Sequence, residues 1–241
     1  VTSDATSDAS EIEKLRELIT PARFVLWDFD GPICRLFARH TAERVAAELV
    51  DWLAGRGLHN LLSDSERGSL DPHVVLRAVD RRRPGSDLVA ELEERLSHEE
   101  LRAAGSALPT AYADPLIRTW TAVGARLAIT TNNSPTVVRA YLNGRGLTSC
   151  FAPHIYGRTT DLHLLKPDPH CLNRALSAMG SAPGAALMIG DSPSDLTAAH
   201  DAGVPFLGYA RNEHKRKLLR EAGAGCVVGS LEPLLRMLRG R

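Results

Sequence analysis

The stretch Phe24-Val25-Leu26-Trp27-Asp28-Phe29-Asp30-Gly31 decides how this chain is read. Four apolar residues run into Asp-x-Asp-Gly. An apolar run of this length, ended by a turn signal, reads as a strand buried on both faces. Strand side chains alternate, so Asp28 and Asp30 fall on the same face. Gly31 allows a sharp turn and a close approach to the backbone. Two carboxylates at the C-terminal end of such a strand make a hard-oxygen site that suits Mg²⁺ better than Zn²⁺. Either carboxylate is also able to serve as a nucleophile. The plainer alternative is a strand that ends in two solvated aspartates, so the rest of the chain has to decide.

Outward from that stretch, the alternation continues. Strands are expected at Arg126–Thr131, His154–Tyr156, Ala186–Gly190, Pro205–Gly208 and Cys226–Val228, most of them separated by helices. That order implies βαβ units and a parallel sheet covered on both faces, with ligands outside the carboxyl ends of the strands. Between about 36 and 108 the period is helical throughout. Val45, Ala46, Leu49, Trp52 and Leu53 share one stripe, Leu88, Val89, Leu92 and Leu96 another, with Glu91 and Arg95 as an i,i+4 pair. Pro84-Gly85 marks a turn between helices. The fold expected is therefore α/β, a doubly wound Rossmann-like core of 10–35 and 109–241 with an inserted α-helical domain of 36–108. Residues 1–9 are small and polar and expected to be disordered, ahead of a helix over Ser10–Ile19 that Pro21 stops.

Composition narrows the partners. Lys+Arg and Asp+Glu balance at 29 each, leaving no basic field for nucleic acid or an anionic membrane. No apolar run approaches the roughly 20 residues that span a bilayer, and no basic-then-apolar signal opens the chain. Cys34, Cys150, Cys171 and Cys226 have no metal-ligand spacing. Reduced thiols and a cytoplasmic location are the expectation.

Three helix starts share one design: Ser134-Pro135, Asp168-Pro169 and Ser192-Pro193 place a capping side chain before a proline, each after a polar cluster. Such N-termini favour phosphate when other groups converge on them. Lys166 is the only lysine between residues 15 and 214 of a chain rich in arginine, as expected of a position that needs a compact point charge.

Asp28-Phe29-Asp30-Gly31, Thr131-Asn132 after an apolar strand, Lys166-Pro167-Asp168-Pro169, and Gly190-Asp191-Ser192-Pro193-Ser194-Asp195 occur in this order. Together they resemble the motifs of the haloacid dehalogenase superfamily of phosphatases, in particular its phosphoglycolate phosphatase-like branch with a helical cap. The resemblance implies Asp28 as nucleophile, Asp30 as general acid and base, and Thr131, Asn132 and Lys166 as phosphate-binding groups. It implies Mg²⁺ held by the carboxylate of Asp28, the backbone carbonyl of Asp30, and Asp191, with Asp195 as a further ligand or a residue that orients the shell. The implied substrate is a small phosphorylated metabolite, handled by a monomer or homodimer. Alternatives with the same motifs are a phosphoglucomutase-like isomerase and a non-catalytic binding protein. One departure stands out: Pro32 occupies a position usually held by threonine, so a stiffer turn or a reduced set of amides facing phosphate is expected there. Cys34 and Trp27 are expected to be packing residues. Arg77, Arg81, Arg82 and Arg83 form a basic cluster that either meets a substrate anion or lies on a solvated helix face. Arg39, His40 and His59 are further polar residues of the insert.

Overall fold

The computed structural model describes residues 2–240, with side chains from Glu11 onward. Helix α1 spans Thr2–Ile19; Val1 lies outside the described residues. No glycine or proline interrupts Thr2–Ile19, so the helix that buries Leu15 and Ile19 continues towards the N-terminus.

Strand β1 (Phe24–Trp27) lies at the centre of a six-stranded parallel sheet. It pairs with β4 (Arg126–Thr130) on one side and β6 (Ala186–Gly190) on the other. Beyond β4 lies β5 (Ile155–Tyr156), and beyond β6 lie β7 (Phe206–Tyr209) and β8 (Val227–Val228). All six are the strands expected from sequence. Along β1 the alternation separates two cores. Val25 and Trp27 join a cluster with α1, α6 (Ala113–Ala122), α7 (Pro135–Arg145), α8 (Thr148–Phe151) and α12 (Glu232–Arg239). Leu26 faces α9 (His170–Met179), α10 (Pro193–Asp201) and α11 (Glu213–Glu221). Trp27 is fully buried and packs edge-on against Trp120. Both faces of the sheet are thus covered, as the unbroken apolar run requires.

The chain leaves the sheet after β1 through β2 (Cys34–Arg35) and returns through β3 (Leu108–Pro109). These two short strands pair antiparallel, Cys34 opposite Pro109. Between them lie only helical elements: α2 (Ala42–Gly55), α3 (Asp64–Arg67), α4 (Pro72–Arg82) and α5 (Asp87–Ala104), with one short 3-10 turn at His59–Leu61. They have their own apolar core around Leu49, Leu53, Leu76, Leu92 and Leu96. One expected contact is replaced: Glu91 pairs with Arg56 at 2.6 Å, and Arg95 stacks over Trp52. The half-buried indole offers Arg95 a π-face, which an exposed i,i+4 carboxylate does not match.

Candidate active site

Parallel register sets the site. Trp27 lies level with Ile129 of β4 and Ile189 of β6, so Asp28, Thr130 and Gly190 continue together at the carboxyl edge of three adjacent strands. The loops that follow carry Asp30, Thr131 and Asp191. Gly31 adopts φ +120°, and a Cβ there would collide with the Asp191 carboxyl group. A Cβ on Gly190 would likewise collide with Asp195. Glycine is required at both positions because the acidic groups pack directly on the backbone. The return strand pins this turn, since the Thr110 hydroxyl donates to the Gly31 carbonyl.

Lys166 reaches the centre from the loop before α9. Its side chain is 2% exposed, and Nζ donates to Asp28 Oδ1 at 2.8 Å, to the Thr130 carbonyl at 2.8 Å and to Asp195 Oδ1. Burial opposes its charge, but Asp195 and Asp28 outweigh burial and raise its pKa. Burial pushes Asp28 upward and Asp195 adds to this, with Lys166 pulling the other way. Asp30 is pushed up to about 6, chiefly by burial, against the Leu36 amide that donates to Oδ1 at 2.8 Å. Asp191 is also pushed up to about 6 by burial, with Lys215 opposing.

Ligand oxygens of Asp28, Asp191 and Asp195 lie within 4.8 Å of one another. The donor set suits a dication. Four carboxylates (Asp28, Asp30, Asp191, Asp195) face two ammonium groups (Lys166, Lys215), leaving two negative charges in a largely buried site. Asp195 is the least free of the four. Its Oδ2 accepts from the amides of Asp191 and Ser192 and from the Ser192 hydroxyl, closing a capping box on α10, while Oδ1 holds Lys166. These bonds suit it to orienting its neighbours more than to binding a metal.

The phosphate-binding candidates divide. Thr131 is buried, with its hydroxyl donating to Asn133 Oδ1 at 3.0 Å. Both ends of the Asn132 amide bracket the Lys166 backbone, Oδ1 accepting from its amide at 2.8 Å and Nδ2 donating to its carbonyl at 3.1 Å. Asn132 therefore fixes the lysine loop with its side chain, and its backbone amide is what it can offer an anion. The amides of Phe29, Asp30 and Asn132 have no acceptor among the described residues. Pro32 has no amide of its own to offer there, and the neighbouring Gly31 amide turns inward to the Cys34 carbonyl. Cys34 is buried, and burial raises its thiol well above the usual range, which suits packing and not nucleophilic attack.

The cleft over these groups has a volume of about 250 Å³, and the insert closes it with Phe37, Leu70, Asp71 and His73. The arginine cluster lies elsewhere. Arg81 and Arg82 pair with Glu66, and Arg77 donates to the Lys166 carbonyl beside a separate cleft of about 410 Å³. His40 is bonded to Glu99 at 2.6 Å.

Three groups escaped the sequence reading. Lys215, on α11, donates to Asp191 Oδ2 at 2.7 Å. Glu100 and Arg158 form a buried pair behind Thr131. Lys scarcity was the one available signal for Lys215, while Glu100 sits in a helix full of glutamates and nothing in its spacing sets it apart.

The model of the haloacid dehalogenase-like hydrolase family matches residues 22–203. The chain belongs to that family. Among curated relatives of this hydrolase, a phosphoglycolate phosphatase of Rhodospirillum rubrum is 39% identical over 113 residues, 45% of this chain and 45% of that protein. A phosphoserine phosphatase of Thermus thermophilus is 39% identical over 82 residues, 34% of this chain and 32% of that protein. The matched part thus spans half or less of the first curated relatives. A plasmid-borne phosphoglycolate phosphatase of Cupriavidus necator is 28% identical over 90% of this chain and 94% of its own. Among solved structures, a predicted phosphatase from Clostridium acetobutylicum superposes with a TM-score of 0.66 at 16% identity, covering 91% of this chain and 99% of that one. That likeness shows the shared fold.

Proposed function

We propose that this hydrolase is a Mg²⁺-dependent phosphatase that removes phosphate from a small metabolite through an aspartyl-phosphate on Asp28. The observation that carries this reading is the contact of Lys166 Nζ with Asp28 Oδ1 at the end of the central strand. Lys166 orients the Asp28 carboxylate and adds positive charge where the equatorial oxygens of the phosphoryl group gain negative charge. The amides of Phe29, Asp30 and Asn132, free of backbone acceptors among the described residues, are candidates to receive those oxygens, and the Thr131 hydroxyl would join them by turning its hydrogen away from Asn133 Oδ1. Asp30, protonated near its raised pKa of about 6, donates its proton to the leaving oxygen as Asp28 bonds to phosphorus. The same carboxylate then takes a proton from water, which attacks the acyl phosphate, releases phosphate and regenerates Asp28. The carboxylates of Asp28 and Asp191 and the carbonyl of Asp30 would hold Mg²⁺, which when bound supplies charge that draws phosphate against Asp28.

The insert, as a cap over residues 36–108, excludes bulk water and selects the leaving group. The names of the relatives favour a phosphorylated small acid or amino acid as substrate. No helix among the described residues is long and apolar enough to cross a membrane. Hydrolysis of p-nitrophenyl phosphate with Mg²⁺, set against the same assay in excess chelator, tests the reading. Turnover that vanishes with the metal supports it, and full activity in chelator refutes the metal's role. A panel of phosphorylated metabolites then ranks substrates, with release of inorganic phosphate distinguishing hydrolysis from isomerisation.

A further inference from the structure

Helix α7 begins at Ser134, which was expected to cap it. The Ser134 hydroxyl makes no capping bond. The Ser134 amide instead donates to Glu100 Oε2 at 3.0 Å, and Asn133 Nδ2 donates to Glu100 Oε1 at 2.9 Å. Glu100 belongs to α5 of the insert, and its side chain is 0% exposed. Arg158, equally buried on the core side, clamps it with Nη1 at 2.9 Å and Nη2 at 3.1 Å. His73, from α4, joins from the third side and contacts the Asn132 carbonyl at 3.1 Å.

The bonds form a relay. Because Glu100 accepts from the Asn133 amino group, the Asn133 amide is turned so that Oδ1 faces Thr131 and receives its hydroxyl at 3.0 Å. A carboxylate is acceptor-only, so it fixes which way that amide points. Thr131, Asn132 and Asn133 line the cleft at Asp28. The insert therefore reaches the phosphate loop through the buried Glu100 carboxylate, with His73 beside it on the Asn132 carbonyl, in addition to covering the cleft.

We propose that Glu100 is a positioning residue, which holds the 131–134 loop, and with it the backbone amide of Asn132, in place beside Asp28 only while the helical insert is seated on the core. The proposal rests on the phosphatase reading above and assigns the insert a second task, coupling closure to assembly of the site. A lifted insert would take Glu100 away, free the Asn133 amide to turn, and leave the Ser134 amide without its acceptor.

The test uses the full-length protein with Mg²⁺ and compares Glu100→Gln with Glu93→Gln. Glu93 pairs with the same Arg158 at 3.0 Å but makes no bond to residues 131–134. Inhibition by orthovanadate reads the loop, and hydrogen exchange of the 131–135 amides reads its shape without turnover. Glu100→Gln is expected to weaken vanadate inhibition by about tenfold or more, the scale of one charged hydrogen bond. It should also speed exchange at 131–135 while leaving the 24–28 strand as in wild type. Glu93→Gln should stay within about twofold on vanadate, since Glu93 is partly exposed and its amide still accepts from Arg158 without touching the loop. Equal effects of the two variants, or wild-type vanadate inhibition and exchange in Glu100→Gln, would overturn the proposal. Should Glu100→Gln fail to fold, Asn133→Ala breaks the relay at its middle, and wild-type vanadate inhibition there overturns it as well. Wild-type protein that binds no vanadate would refute the phosphatase reading, and the exchange comparison would still decide the role of Glu100.

Discussion

Replacing Lys166 with methionine keeps the length of the side chain and removes its charge from the centre of the site. Asp28 and Asp195, 11% and 1% exposed, then face each other without the ammonium between them. Removing one partner of a buried ion pair costs about 3–5 kcal/mol when the remaining charge stays ionised. The protein has a cheaper route, which is to take up a proton. Burial and Asp195 already push the Asp28 pKa upward, and Lys166 is the group that restrains it. Its loss should leave most Asp28 protonated near neutral pH, and a carboxylic acid is a poor nucleophile. Each unit of pKa removes about a factor of ten from the ionised fraction. The lost stabilisation of transition-state charge removes roughly another 10²–10³. We therefore expect kcat/KM on p-nitrophenyl phosphate to fall by about 10³ or more, with the acidic limb of the pH–rate profile moved upward. Lys166→Arg should recover little, because a planar guanidinium does not replace a point charge bonded to three oxygens. Circular dichroism checks the fold beside steady-state kinetics. A folded Lys166→Met variant with kcat/KM within about tenfold of wild type would refute this account of the site.

Asp30→Asn should be inactive yet more stable without metal. The folded pKa of Asp30, about 6, lies above its unbound value of 3.8, so its contribution to stability is lost as pH rises between those values. Above about pH 6 the substitution should add on the order of 2–3 kcal/mol, read as a higher Tm at pH 7 and no gain near pH 4. His73 gives a pH dependence of the same sign in a more alkaline window. Its pKa is raised to about 9 by Asp71 and Glu100 against burial, so its stabilisation is complete below about 6.5 and fades as pH rises through 9. Melting curves of His73→Gln should lack that alkaline loss. Ca²⁺ should inhibit the Mg²⁺ enzyme, because its longer bonds and larger coordination number let both Asp28 oxygens bind metal; activation by Ca²⁺ would contradict that ligand set.

The fold was legible because one physical signal repeats. Phe24–Trp27, Arg126–Thr130 and Ala186–Gly190 are apolar on both faces, and only a sheet covered on both sides uses such strands. The positions of Asp28, Lys166 and Asp191 were legible for a related reason. Each lies beside a glycine, proline or strand end that fixes its place, so local sequence marks it. Glu100 and Arg158 carry no such mark. They meet across 58 residues, and an ionic pair buried between an insert and a core looks in sequence like two ordinary surface charges. Ser134 shows the converse. Its Ser-Pro pattern promised a local cap, but its hydroxyl makes no capping bond and its own amide goes to a distant carboxylate. Asn132 likewise has the residue type of a phosphate ligand, while the Lys166 backbone claims both ends of its amide.

The central claim is that Asp28 carries the phosphoryl group. Mixing enzyme with substrate, quenching in acid within the first turnover and digesting for mass spectrometry tests it directly. The account predicts a phosphoryl adduct on the peptide that contains Asp28, absent from Asp28→Asn, which should also lose nearly all turnover. Turnover by Asp28→Asn within about tenfold of wild type, or an adduct confined to another residue, would contradict it.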